Sequence, residues 1–173
     1  MKNNRNRDIR VEKLTLNIGA GKDQDRLEKG MQLLKSITGL EPVKTSTSKR
    51  IPGWGLRPGL PIGCKLTVRK GQAEEILSRL LDAKSFVLQE KQFDQYGNLS
   101  FGIPEYIDIK GVKYDPKIGI IGLEVCVTLE RNGFRIKKRR LQKRKLNKRH
   151  MISRAEAMEF MKNKFNVKIG EEE

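Results

Sequence analysis

Three runs of this chain alternate apolar and polar residues with a period of two, and that alternation constrains the fold most. Leu14, Leu16 and Ile18 alternate with Lys13, Thr15 and Asn17. Leu66 and Val68 alternate with Lys65, Thr67 and Arg69, and Leu123, Val125, Val127 and Leu129 with Glu124, Cys126, Thr128 and Glu130. Successive side chains of a strand point to opposite faces, so each run reads as a strand with one apolar and one wet face. One-sided strands need an apolar cover on a single side of their sheet.

Two segments offer that cover. After Asp23 or Asp25 as a cap, Leu27, Met31, Leu34 and Thr38 fall near helical spacing, widened by Leu33 and Ile37, and Gly39 stops the run. Ala73, Ile76, Leu77, Leu80 and Leu81 make a second amphipathic helix. The expected fold class is α+β: a largely antiparallel sheet, helices packed on one face, and the other face polar. Strands are expected at 10–18, 43–48, 64–69 and 118–129, with shorter ones at 99–103 and 106–109. A further helix begins at Ser153, whose partner Glu156 completes a capping box, with Ala155, Met158, Met161 and Phe165 as its apolar stripe. Residues 1–8 and the terminal GEEE read as loose ends. The chain divides into a core at 1–130, a basic arm at 131–152, and a helix with an acidic tail at 153–173.

The open face would present Lys13, Thr15, Asn17, Thr45, Lys65, Thr67, Arg69 and Thr128. These are cations and hydrogen-bond donors suited to phosphates and 2′-hydroxyls. A formal net charge of +16 favours nucleic acid as partner, ahead of an anionic membrane surface and acidic proteins. No apolar run approaches the ~20 residues that span a bilayer, and no secretory signal opens the chain. Few aromatics are available on this face, which favours readout by shape and backbone over base stacking.

Between the second and third strands lies a loop with Gly53, Gly55, Gly59 and Gly63 and with Pro52, Pro58 and Pro61. It carries Lys49, Arg50, Arg57 and the chain's one tryptophan, Trp54, and reads as a stiff finger that touches a polyanion or as an ordinary surface loop. From 131 to 149 the chain is dense in cations and holds no acid. Charge repulsion would keep such a run extended until it neutralises phosphates.

Signs of catalysis are missing. No nucleophile–base pair stands out, and Cys64, Cys126 and His150 are too few for a structural zinc site. Both cysteines read as small packing residues. Gly19 and Gly21 lack the third glycine of a dinucleotide fingerprint, because Gln24 occupies its place. No cofactor is expected.

Several motifs in order resemble large-subunit ribosomal protein five, the family that binds 5S ribosomal RNA. They are TLNIGAG at 15–21, ITGLEPVKT at 37–45, KRIPGWGLRPGLPIGCKLTVR at 49–69, FDQYGNLSFGIPE at 93–105 and YDPKIGIIGLEVCV at 114–127. The run after Arg131 and the helix after Ser153 are similar to the archaeal and eukaryotic branch, with archaeal the expectation. The resemblance implies a structural constituent of the large subunit, cytoplasmic and monomeric within the ribosome, that attaches 5S ribosomal RNA at the central protuberance. It carries sheet-face contacts onto Asn17, Thr45, Trp54 and Thr67, beside Thr15, Lys65 and Arg69 from the face itself. A family glutamine contact falls on Leu40 and is lost. The finger residues Lys49, Arg50, Gly53, Trp54 and Arg57 would approach large-subunit ribosomal RNA and peptidyl-site transfer RNA. Arg135, Lys137, Lys138, Arg139, Arg140, Lys143 and Arg144 form the basic arm. Small-subunit ribosomal protein thirteen is the implied partner across an inter-subunit bridge, with no residues assigned to it.

Overall fold

A computed structural model describes residues 4–170. The strands are β1 (Ile9–Gly19), β2 (Val43–Ser46), β3 (Pro61–Arg69), β4 (Val87–Gln89), β5 (Leu99–Ile103), β6 (Leu123–Arg131) and β7 (Lys168–Gly170). The helices are α1 (Gln24–Thr38), α2 (Gly71–Asp82), α3 (Arg135–Lys138) and α4 (Arg154–Phe165). Five strands form one sheet in the order β2-β3-β1-β6-β5, antiparallel throughout. The two short strands β4 and β7 pair in parallel outside it.

The expected α+β architecture is present. Leu14, Leu16, Ile18, Cys64, Leu66, Val68, Val125, Val127 and Leu129 are buried in one core with Leu27, Leu33 and Leu34 of α1 and Leu77, Leu80 and Leu81 of α2. Each such side chain contributes roughly 1.5–3 kcal/mol on leaving water, so both helices are held to one side of the sheet. Asp23 caps α1 by accepting from the N–H groups of Asp25 and Arg26, and Gly39 ends it at φ 73°, where a side chain would be strained. Gly30 lets α1 lie close on the sheet: a β-carbon there would sit 3.1 Å from Cys64 Sγ and 3.3 Å from Ile18 Cγ2.

Several sequence expectations are corrected. The strand expected at 118–129 begins only at Leu123. Gly119 has φ 75°, and a β-carbon on Gly122 would fall 2.7 Å from the Pro104 carbonyl oxygen, so the chain bends there before it can pair. The segment at 106–109 is a 3-10 turn, not a strand; Tyr106 is buried and its hydroxyl accepts from the Asp115 N–H at 3.0 Å. In α4 the buried residues are Ala157 and Met161, with Val167 beyond its end, while Ala155 is exposed. Met158 and Phe165 of the expected stripe are partly buried against the same core. Cys126 is exposed, unlike Cys64.

The N-terminal segment is not loose from Asn4 onward. Arg5–Arg7 is a 3-10 turn, and the carbonyls of Arg5 and Arg7 accept from Asn132 Nδ2 and Arg131 Nε. Residues 1–3 and the acids at 171–173 lie outside the described residues.

Candidate nucleic-acid interface

The register of the sheet turns the alternating pattern into a ruled surface. Thr67 stands opposite Thr15, Thr15 opposite Cys126, and Cys126 opposite Ser100. This row of three hydroxyls and a thiol crosses four strands without a charge, and Thr15 Oγ1 lies 3.5 Å from Thr67 Oγ1. On one side of it runs Lys65, Asn17, Glu124 and Gly102; on the other run Arg69, Lys13 and Thr128. Val43 and Thr45 of the edge strand stand opposite Lys65 and Gly63. The structure therefore brings Thr15, Asn17, Thr45, Lys65, Thr67 and Arg69 onto one face.

The face is less basic than a list of its cations suggests. A register shift between Val11 and Lys13 leaves Glu12 as the extra residue of a bulge, its side chain largely covered. Its carboxylate accepts from Arg69 at 2.9 Å and from Lys138 at 2.7 Å. Burial works to raise the Glu12 carboxyl, but the bonds from Lys138 and Arg69 outweigh it and hold the group below the usual carboxylate range. Lys138 also reaches Glu130 at 3.0 Å, and Glu130 takes Arg10 at 2.8 Å. Burial works to lower the Lys138 ammonium, yet these two carboxylates raise it above its ordinary value. Asn17 Nδ2 donates to Glu124 Oε2 at 2.9 Å, which orients the amide. The result is a surface of largely fixed donors and acceptors on which Lys13 and Lys65 are the cations without an ion pair among the described residues.

The finger is a self-bonded hairpin. Thr47 N–H donates to the Leu60 carbonyl at 3.0 Å and Gly59 N–H to that of Thr47 at 2.9 Å. Ile51 and Leu56 exchange both backbone bonds, with a 3-10 turn at Pro52–Trp54 between them and Gly55 at φ 67°. Leu56, next to the turn, is buried. Trp54 is 70% exposed, so it does not pack on the sheet. Lys49, Arg50, Gly53 and Arg57 are exposed beside it.

The basic segment is anchored at both ends. Phe134 is buried at the start of α3, and Ile152 is buried before α4. Arg131, 4% exposed, ties the strands to the returning chain. Its guanidinium donates to the carbonyls of Arg7 and Met151 and meets Glu156 at 2.7 Å. Burial works to raise the Glu156 carboxyl, but the Ser153 N–H and Arg131 outweigh it and hold it below its usual range. Among the segment's cations Lys138 is committed to Glu12 and Glu130, and Lys137 lies 4.6 Å over the Phe134 ring. Arg135, Arg139, Arg140, Lys143 and Arg144 have no ion pair among the described residues.

Sequence reasoning missed Ser100 and Cys126 as part of the neutral row, Glu12 and Glu130 as the ion partners of Arg69, Lys138 and Arg10, and Glu124 as the acceptor for Asn17. The alternation of β5 and β6 placed Ser100, Glu124, Cys126 and Glu130 outward, while Glu12 sits at the β1 bulge, and only the register could show which side chains they meet.

The family model described as "Ribosomal protein L5" matches residues 4–57, and the model for the C-terminus of the same ribosomal family matches residues 61–160. Large ribosomal subunit protein uL5 of Sulfurisphaera tokodaii is 48% identical over 166 residues, spanning 95% of this chain and 94% of its own. The uL5 protein of Sulfolobus acidocaldarius is 45% identical over 168 residues, with 97% and 94% covered. That of Nanoarchaeum equitans is 46% identical over 164 residues, with 94% and 96% covered.

Proposed function

Because this chain belongs to the L5 family of ribosomal proteins, in its archaeal form, we propose that its open sheet face binds 5S ribosomal RNA and helps to fix it at the central protuberance. The chain is a non-enzymatic structural constituent of the large subunit, cytoplasmic and ribosome-associated. The observation that carries the proposal is the uncharged row Thr67–Thr15–Cys126–Ser100, open to solvent on a rigid sheet. An RNA minor groove displays 2′-hydroxyls and base edges that such groups can bond, while Lys65 and Lys13 beside the row would reach phosphates and Arg69, held by Glu12, would present its remaining N–H groups in a fixed direction.

The exposed finger, with Lys49, Arg50, Trp54 and Arg57, would extend to large-subunit ribosomal RNA and peptidyl-site transfer RNA. Arg135, Arg139, Arg140, Lys143 and Arg144 would neutralise ribosomal RNA phosphates. Small-subunit ribosomal protein thirteen would meet the molecule across the subunit interface. A gel-shift titration tests the central reading. Binding to 5S ribosomal RNA should exceed binding to an unrelated duplex of equal length at matched salt, and equal affinities would refute it.

A further inference from the structure

The C-terminal segment closes over an apolar cleft that the sheet-face reading leaves unused. Its volume is about 580 Å³, within the range of small-molecule sites. Leu129, Phe134 and Ile152 form its floor and are themselves core residues. The half-buried Leu146 and Met151 also line it, and Tyr96, 62% exposed, is its most open aromatic residue.

Tyr96 is held there by its own turn. The Asp94 carboxylate accepts from the Tyr96 and Asn98 N–H groups at 2.8 and 2.7 Å and from Asn98 Nδ2 at 2.7 Å. Gly97, at φ 77°, presses the turn onto the returning chain, since a β-carbon there would stand 2.5 Å from Ile152 Cγ2. The turn thus places a large ring beside an apolar floor while leaving most of that ring in water, where its face is open to stacking. Lys137, Lys145 and Lys148 also line the cleft, and none has an ion pair among the described residues. The nearby carboxylate, Asp94, is turned back into its own turn.

We propose that this cleft holds an unstacked nucleobase of ribosomal RNA, with the flanking phosphates on Lys137, Lys145 and Lys148. A base is flat and apolar on its faces and carries an anion on each side along the chain, which matches an apolar slot with an aromatic lip and a cationic rim. An acidic peptide shares the charge but not the need for a stacking ring. A large-subunit protein is surrounded by RNA, which makes RNA the occupant the observations favour. The site is separate from the sheet face and does not depend on 5S ribosomal RNA being its ligand.

The test uses the full chain, isotope-labelled, with three probes: a single-stranded uridine or adenosine octanucleotide, a duplex of equal length, and a poly-glutamate peptide. The single strand should shift the methyl signals of Leu146, Met151 and Ile152 and the ring signals of Tyr96 and Phe134. Tyr96→Ala should weaken its binding roughly 5- to 100-fold with no change in melting temperature, since the ring is exposed. Tyr96→Phe should bind like the parent, and Lys145→Gln with Lys148→Gln should reduce the salt slope by about 0.7 each. Unshifted cleft signals, equal shifts from the duplex or the peptide, or parental affinity of Tyr96→Ala would overturn the proposal. Thr67→Ala should leave these signals unmoved; loss of preference for 5S ribosomal RNA in that variant bears on the sheet face alone.

Discussion

The sheet face and the segment at 139–149 are both rich in cations, yet they differ in how many of those cations are paired. At the sheet face, Arg10, Arg69 and the adjoining Lys138 of α3 are spent on Glu12 and Glu130, which leaves Lys13 and Lys65 without an ion pair among the described residues. Along 139–149 there is no acid in the sequence, and the exposed Arg140, Lys143, Arg144, Lys145, Lys148 and Arg149 have no carboxylate partner among the described residues. Formal charge therefore says little about where phosphate binding resides. A paired guanidinium is oriented and half-neutralised, so it reads geometry; an unpaired one releases counterions when it meets a phosphate.

The largest effect that would break this contrast is electrostatic. Changing Arg140, Lys143, Arg144 and Arg149 together to Gln should flatten the slope of log affinity against log salt by about 3, costing on the order of 100-fold at moderate salt. The readout is a salt titration of binding to large-subunit RNA fragments. An unchanged slope would mean that these side chains face away from RNA.

Next in size is the attachment of the segment. Arg131→Met removes the buried half of an ion pair whose Glu156 is partly exposed, and strands the carbonyls of Arg7 and Met151. It should destabilise the chain by about 2–3 kcal/mol in urea unfolding, and should loosen hydrogen-exchange protection around residues 150–156 before that of β1. Equal loss in both places would show that the segment is not a separate unit.

A smaller effect isolates the neutral row. Thr67→Val keeps the shape and removes the hydroxyl, so affinity for 5S ribosomal RNA should fall by roughly 3- to 10-fold, about 1 kcal/mol, with the salt slope unchanged. A changed slope would place the row near phosphates instead.

The subtlest distinction is in pH. The folded carboxyls of Glu12 and Glu156 lie below their ordinary value of 4.5. Their contribution is therefore present above about pH 4.5 and is lost as pH falls through the lowered values. Glu156→Gln should lower stability at neutral pH and reduce the loss on acidification. Lys138, raised above its ordinary 10.5, contributes below that value and is lost as pH rises through the raised one. A melting-temperature series across both limbs separates the two, because Lys138→Met should alter the alkaline limb.

Much of this is legible in the chain. Alternation names the faces of β1, β3 and β6, and helical spacing names the buried stripes of α1 and α2, because period and hydrophobicity are local properties that burial merely executes. Asp23, Gly39 and the Ser153–Glu156 box mark helix ends for the same reason. The final helix is harder: its spacing admits a stripe through Ala155, whereas the buried alanine is Ala157, a choice that rests on what the helix packs against and leaves no local trace. Trp54 is equally ambiguous in sequence, since a lone aromatic between glycines carries no statement about what it touches.

What the sequence determined by itself is the polar row's membership on β1 and β3 and the existence of an acid-free segment. What only the tertiary structure decided is their character. Antiparallel register set Glu12, Glu124 and Glu130 beside the cations of the face, and the docking of Phe134, Leu146 and Ile152 folded the segment over a cleft with Tyr96 at its lip. Charge and periodicity are written residue by residue, whereas pairing depends on which distant residues the core brings within a few ångströms.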